Sequence, residues 1–322
     1  MKQITVNENQ AGQRLDKLLF KILNNAPKSF IYKMLRKKNI VLNGKKAAGS
    51  ELLKVNDEIK LYLSDETIDK FTKKLESAIL DYELDIIYED KNILLINKPV
   101  GILSQKAVVN DFSMVEYVIS YMLSKNQITK EQLMTFKPSV CNRLDRNTSG
   151  LLIAGKTLVG LQEMSRLLKE RKIDKYYLCI VKGKIDKTTQ ITGYLKKDKD
   201  KNIVTVTKEA SSESDYICTE YKPLALSNEF TLLQVKLITG KSHQIRAHLA
   251  SIGHPILGDS KYGDPTLNER FRQKYGLTHQ LLHSHRLVFP ELIGPLSNLS
   301  GNEFKAPEPE IFVKIRKDLF GI

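Results

Sequence analysis

From Asp81 onward the chain breaks into short apolar runs set between polar turns, and this texture limits the fold more than any other feature. Asp85-Ile86-Ile87-Tyr88 and Ile93-Leu94-Leu95-Ile96 read as two strands joined through the polar Glu89–Asn92, a hairpin. Thr231–Leu237 alternates with Leu233, Val235 and Leu237 on one face, and Lys175 to Val181 reads as a further strand. Leu158, Leu161, Met164 and Leu168 mark an amphipathic helix leading through a basic turn into that strand. Many short strands with few helices between them predict an α+β unit on a mixed, largely antiparallel sheet. No repeat of fixed period and no low-complexity tract interrupts it.

Residues 1–62 have a different texture and an unequal share of the charge. The chain carries 51 Lys+Arg against 37 Asp+Glu, a net +14, and residues 1–62 alone hold 13 Lys+Arg and 5 Asp+Glu. A cationic excess of this size points to a polyanionic partner, nucleic acid before an anionic membrane. Leu15, Leu18, Leu19 and Ile22 recur at helical spacing, with Arg14 and Asp16 opening the stretch. Ser29 is a candidate N-cap for a second helix. Phe30, Ile31, Met34 and Leu35 form one face of it, and Lys33, Arg36 and Lys37 the other. Asn43-Gly44 after Ile40-Val41-Leu42 is a type I′ hairpin signal. Val55, Ile59 and Leu61 suggest a last strand after the Asn56-Asp57 turn. Residues 63–80 are polar and of mixed charge, and read as a linker with one or two helical turns.

The longest unbroken apolar run, Tyr176 to Val181, is far short of the ~20 residues of a membrane-spanning helix. The first residues lack the apolar core and small-residue cleavage site of a secretory signal. Cys141, Cys179 and Cys218 are odd in number and widely spaced, as in a chain kept reduced. The cytoplasm is the expected location, and a monomer the default.

Three segments carry candidate chemistry. Asn142-Arg143-Leu144-Asp145-Arg146-Asn147-Thr148-Ser149-Gly150 places one carboxylate between two arginines, directly before the apolar run Leu151–Ala154. Neighbouring guanidinium groups favour the charged form of such a carboxylate, which can serve as nucleophile or general base, or simply as an ordinary loop ion pair. In Leu237 to Leu249 a strand ends at Gly240 and a helix opens, with Ser242 as candidate cap, Gly253 as stop and Arg246 in the first turn, within reach of Asp145 or a substrate. Lys175-Tyr176-Tyr177 brings a cation and two tyrosines into a strand, where a tyrosine can stack on a base or pack in the core.

At these residues the chain resembles the RluA-type pseudouridine synthases of the branch that modifies large ribosomal subunit RNA. R-L-D-R-N-T-S-G-L is similar to the family's catalytic loop, which makes Asp145 the implied catalytic aspartate. K-Y-Y-L-C-I-V-K-G resembles its tyrosine motif with Tyr177 as counterpart, and T-G-K-S-H-Q-I-R-A-H-L its arginine motif with Arg246 as the partner of the aspartate. Ile96 to Ile102 and Pro255 to Gly263 match two further loops. The chain departs from the pattern at Asn142, where the family usually has His, and at Lys241-Ser242, where it usually has Arg-Thr. Residues 1–62 resemble the αL RNA-binding module found in the same branch, through the run Arg14 to Leu19, Ser29 to Lys37, and Val41 to Lys45.

The resemblance implies residues 1–62 as an RNA-binding domain, 63–80 as linker and 81–322 as a pseudouridine synthase domain. It implies no cofactor, no metal and no nucleotide. The partner is RNA, either large-subunit ribosomal RNA or its precursor. Arg143, Lys175, Lys241, Arg14, Lys33, Arg36 and Lys37 are the expected RNA-binding cations. Two other classes compete. All six histidines lie between His243 and His285, which invites a metal-dependent hydrolase, but H-E-x-x-H and cysteine pairs are missing. A non-catalytic RNA-binding assembly factor on the same fold would have no need of Asp145. Nucleotide-binding signatures are absent.

Overall fold

The computed structural model describes residues 1–72, 80, 82–108, 111–198 and 203–322. The chain opens with β1 (Lys2–Thr5), α1 (Leu15–Ile22), α2 (Lys28–Arg36), β2 (Ile40–Leu42), β3 (Lys45–Lys46), β4 (Glu58–Leu61) and α3 (Asp65–Phe71). The Leu15, Leu18, Leu19 and Ile22 stripe of α1 is buried against Ile31 and Leu35 of α2 and against Ile59 and Leu61 of β4. This one core welds the helices to an antiparallel sheet of order β1-β4-β2-β3. Asn43 and Gly44 both have positive φ, 50° and 72°, as a type I′ turn requires.

Two local expectations are corrected. Pro27, extended at φ −59°, precedes α2, so Ser29 lies inside the helix and caps nothing. Val55 sits in the turn before β4, half exposed, because pairing with β1 starts only at Glu58. The stretch read as linker holds the helical turns expected there, as α3, whose Ile68 and Phe71 pack on the same small core. Residues 73–79 of that stretch, and residue 81, lie outside the described residues. Among the described residues, three side chains before α1 reach beyond residue 82: Asn9 Oδ1 accepts from the amide of Leu158, Gln10 Nε2 donates to Thr135 Oγ1, and Glu8 pairs with Lys91.

Beyond residue 82 follow β5 (Ile86–Glu89), β6 (Ile93–Lys98), α4 (Met114–Ser124), α5 (Lys130–Leu133), β7 (Ser139–Val140) and β8 (Ser149–Gly155). Then come α6 (Leu158–Lys169), β9 (Asp174–Lys182), β10 (Thr189–Asp198), β11 (Ile203–Thr207), β12 (Ser214–Leu226) and β13 (Phe230–Leu237). The chain closes with α7 (Gln244–Ser251), α8 (Pro265–Tyr275), β14 (Leu282–Val288), β15 (Glu303–Lys305) and α9 (Glu310–Phe320). The strands form one sheet of order β11-β10-β12-β13-β9-β14-β8-β6-β5, with β7 and β15 attached at β8 and β14. Its described pairs are antiparallel except β14 with β8, as the run of short strands predicts.

Strand alternation explains why the sheet is buried on both faces. Leu94 and Ile96 of β6, Leu152 and Ala154 of β8 and Tyr177 and Cys179 of β9 share one core. Their alternates Ile93, Leu95, Leu151 and Ile153 fill a second, and Leu178 and Ile180 a third. Tyr177 therefore belongs to the face of the sheet against which α7, through Ile245 and Leu249, is packed.

Candidate functional site

Asp145 sits on the loop just before β8, and its neighbours are tied down on both sides. Ser104 Oγ donates to the carbonyl of Leu144 and accepts from its amide, at 2.8 and 2.9 Å. The carbonyl of Arg146 accepts from Lys98 Nζ at 3.0 Å and from the amide of Gly101 at 2.9 Å. Lys98 is fully buried and also donates to the carbonyls of Pro99 and Ile102, so three acceptors match the three N–H bonds of an ammonium. Burial pushes its pKa down to about 7, against the pull of the Asp145 charge. Asn142, at the family's usual histidine position, is structural: its Oδ1 accepts from the amide of Ile153. Gly150, at φ 105°, has no room for a side chain, since a Cβ would come within 2.2 Å of the Ser284 carbonyl on the neighbouring β14.

Arg246 comes from the first turn of α7, as its place in the motif predicts. Its Nη1 donates to Asp145 Oδ2 at 2.8 Å. Its Nε and Nη2 grip both oxygens of Asp259 at 2.7 and 2.8 Å, a bidentate pair at which Arg246 is 5% exposed and Asp259 wholly buried. Burial alone would lower the Arg246 pKa, but hydrogen bonds and charge from Asp259, and then Asp145, raise it above the ordinary arginine value. Burial likewise works to raise Asp259, and is outweighed by Arg246 and by the amides of Lys261 and Tyr262, which hold it low. The guanidinium is thus fixed from behind and presents one N–H bond to Asp145. Ser242 does not cap α7; the capping position is His243, in the left-handed region at φ 54°, ψ 15°.

These groups open onto a cavity of about 830 Å³ lined by eight lysines and arginines and, as the one carboxylate among its described lining residues, Asp145. Tyr177 is on its wall, with burial pushing its hydroxyl up to about 12 and Ser284 in hydrogen-bond contact with it. Lys175 lines it too, its pKa lowered by burial and then by Arg171. Arg143 is exposed at the rim. Lys241 lines the cavity, yet its Nζ donates to Asp215 at 2.6 Å, so its contact is not with Asp145. Arg14, Lys33, Arg36 and Lys37 are not brought here. Arg14 pairs with Asp16, while Lys33 and Arg36 of α2 and Lys37 at its end are exposed, as are Lys45 and Lys46.

Among the described residues, five of the six histidines have hydrogen-bond contacts nearby in the fold, with Tyr262, Thr219, Ser149 or backbone carbonyls. His283 bridges Ser149 Oγ and the Ala306 carbonyl, and His248 bonds Thr219 Oγ1. Among the described residues no three His, Cys, Asp or Glu side chains gather as metal ligands. Sequence reasoning assigned no role to Lys98, Ser104, Asp259 or Tyr262, although Lys98 and the pair Asp259 and Tyr262 lie inside matched motifs.

The mixed, largely antiparallel sheet has the fold of RNA pseudouridylate synthases. A human RNA pseudouridylate synthase domain containing 4 structure superposes with a TM-score of 0.57 at 21% identity, covering 72% of this chain and 91% of its own. The family model described as RNA pseudouridylate synthase matches residues 92–251, and that of the S4 domain residues 13–59. An uncharacterized RNA pseudouridine synthase of Mycoplasma genitalium is 32% identical over 308 residues, 94% of each chain. The ribosomal large subunit pseudouridine synthase C of Pasteurella multocida is 31% identical, over 90% of this chain and 86% of its own. The chain belongs to the RNA pseudouridine synthase family, RluA-type, with an S4 domain. No helix among the described residues is long and apolar enough to cross a membrane.

Proposed function

We propose that the protein isomerises uridines of large-subunit ribosomal RNA or its precursor, with Asp145 as the reacting carboxylate, Arg246 as its partner and Tyr177 against the base. The reaction breaks the N1–C1′ bond, turns the uracil and joins C5 to C1′; the C5 proton leaves and N1 gains one, with no redox change. A single anchored carboxylate suits either route open to it, attack on C1′ or removal of the C2′ proton. The observation that carries the reading is the Arg246 clamp, whose bidentate bond to Asp259 leaves one N–H aimed at Asp145.

The uridine must leave its stack to enter the cavity, at a cost of a few kcal/mol. The cations of the lining and rim favour the phosphates that flank it, and Tyr177 offers a ring for stacking of ~1–3 kcal/mol. Residues 1–62 supply a separate RNA grip through Lys33, Arg36 and Lys37, with residues 81–322 performing the chemistry. The ribosomal target is favoured by the name of the Pasteurella multocida relative. The test is incubation of parent and Asp145→Asn protein with unmodified large-subunit RNA, followed by carbodiimide mapping of pseudouridine. New primer-extension stops with the parent alone are expected. No stops with either protein refutes the target, and equal stops with both refutes the role of Asp145.

A further inference from the structure

His243 adopts a left-handed backbone that side chains other than glycine rarely take, at φ 54°. That conformation holds the ring at the cavity wall between Tyr262 and Asp145. Tyr262 Oη accepts the amide hydrogen of Val204 at 2.8 Å and lies 2.9 Å from His243 Nδ1. The amide engages one lone pair of the phenol oxygen, and the Asp145 carboxylate that faces Nε2 favours a hydrogen on that nitrogen, which leaves Nδ1 to take the phenol's proton. Nδ1 is then the acceptor, and the imidazole hydrogen is on Nε2. Burial, with Arg246 and Lys261, lowers the His243 pKa despite the opposing charges of Asp145 and Asp259, which favours the neutral ring.

Nε2 faces Asp145 Oδ1 across 4.0 Å, beyond direct hydrogen-bond reach. Asp145 Oδ2 is held by Arg246, so Oδ1 is the oxygen left to a substrate. A donor and an acceptor confront each other across a gap that one atom can fill. A single oxygen bonded to both at ~2.8 Å would subtend about 90°.

We propose that His243 is a specificity-determining residue: its Nε2–H donates to the 2′-hydroxyl of the target ribose, which in turn donates to Oδ1 of Asp145. This rests on the reading of Asp145 as the reacting carboxylate. The filling group must both accept and donate. Uracil carbonyls only accept and N3–H only donates. Within an RNA chain the 3′ and 5′ oxygens are esterified, so the free hydroxyl of the target nucleotide is the 2′. It also stands on C2′, next to the C1′ atom whose bond changes. The 2′-hydroxyl is the group by which a protein tells RNA from DNA. The Val204 amide, Tyr262 and His243 form a chain that presents a fixed donor to it.

The test uses the full chain and a ligated large-subunit RNA carrying either uridine or 2′-deoxyuridine at the mapped position, read by single-turnover rate and by equilibrium affinity. The parent should favour the ribose substrate by at least about tenfold, the size of one hydrogen bond. His243→Leu should slow or weaken the ribose substrate alone and cut that preference by about tenfold, leaving only what the bond to Oδ1 supplies. His243→Gln, which keeps an N–H, should retain part of it, and Tyr262→Phe should lose part. Thermal midpoints confirm that each variant is folded. If His243→Leu affects both substrates equally, by rate and by affinity, the assignment is overturned. An active Asp145→Asn protein would instead overturn the reading beneath it.

Discussion

Replacing Arg246 by Lys keeps the charge and removes the fork, which separates the two tasks of this side chain. The three bonds of Arg246 measure 2.7, 2.8 and 2.8 Å, two to Asp259 and one to Asp145. An ammonium cannot span both carboxylates in that geometry. It should stay with Asp259, which is wholly buried and has the greater need of a counter-charge, whereas Asp145 is 26% exposed and reachable by water. Asp145 then loses one charge-assisted hydrogen bond, about 1.5–3 kcal/mol. Expressed wholly in the transition state, that is a fall in kcat of roughly ten- to 150-fold. Folding should suffer less, about 1–2 kcal/mol for one strand of the fork. Removing the charge with Arg246→Gln should cost about 3–5 kcal/mol, since Asp259 is left buried without its partner. Tritium release from RNA labelled at uracil C5 measures the reaction, because C5 loses its hydrogen, and urea titration measures stability. An Arg246→Lys protein with unchanged kcat and a lowered urea midpoint would show that the bond to Asp145 serves folding alone.

The other predictions concern supports of the site, the acid limit of the fold and the RNA grip. Lys98→Met keeps the buried shape but leaves three carbonyls short of a donor; stability should fall by about 1–3 kcal/mol and tritium release by at least about tenfold as the loop loosens, and full activity would refute loop anchoring. Burial, partly opposed by the Ala306 carbonyl, pushes His283 down to about 4, whereas an unfolded imidazole titrates near 6.5. Between these values the unfolded chain binds more protons, so the stability lent by neutral His283 is complete above about 6.5 and drains as pH falls toward 4. The loss from pH 7 to pH 5 should be about 2 kcal/mol. His283→Gln should flatten the pH dependence of the urea midpoint by that amount, and an unaltered slope would refute it. Neutralising Lys33, Arg36 and Lys37 together should lower the salt slope of RNA affinity by about 2, at ~0.7 per phosphate contact. An unchanged slope in a salt series would place the RNA elsewhere.

How much of this was legible in the sequence depends on whether a feature is local. The α1 stripe, the Asn43-Gly44 turn and the alternation of β13 are set by residues within one or two turns of each other, and spacing alone reveals them. Caps were the weak point: Ser29 and Ser242 have the right chemistry, but Pro27 and a left-handed His243 took the positions before each helix. A candidate cap is a statement about one residue, and backbone conformation at its neighbours decides whether it is used.

Asp145 and Arg246 lie 101 residues apart and were paired on motif resemblance, which needs only their own residue types. Asp259, Lys98, Ser104 and Tyr262 surround that pair and its loops, and each is placed by a contact that spacing does not encode. Lys98 lies 48 residues before the carbonyl it holds, and Tyr262 grips a ring 19 residues before it on one side and a strand amide 58 residues before it on the other. A buried lysine between a strand and a proline, or an aspartate after a glycine, has no periodic signature. Its meaning appears only when folding desolvates the charge and leaves it one set of partners. Charge has the same division. The exposed cations of α2 follow from composition and helical spacing, whereas the cation that bonds Asp145 is the least exposed of the eight lining the cavity, at 5% against 9% for Lys175. Net charge therefore signals the partner, and a single arginine held by a second, hidden carboxylate is what orients the first.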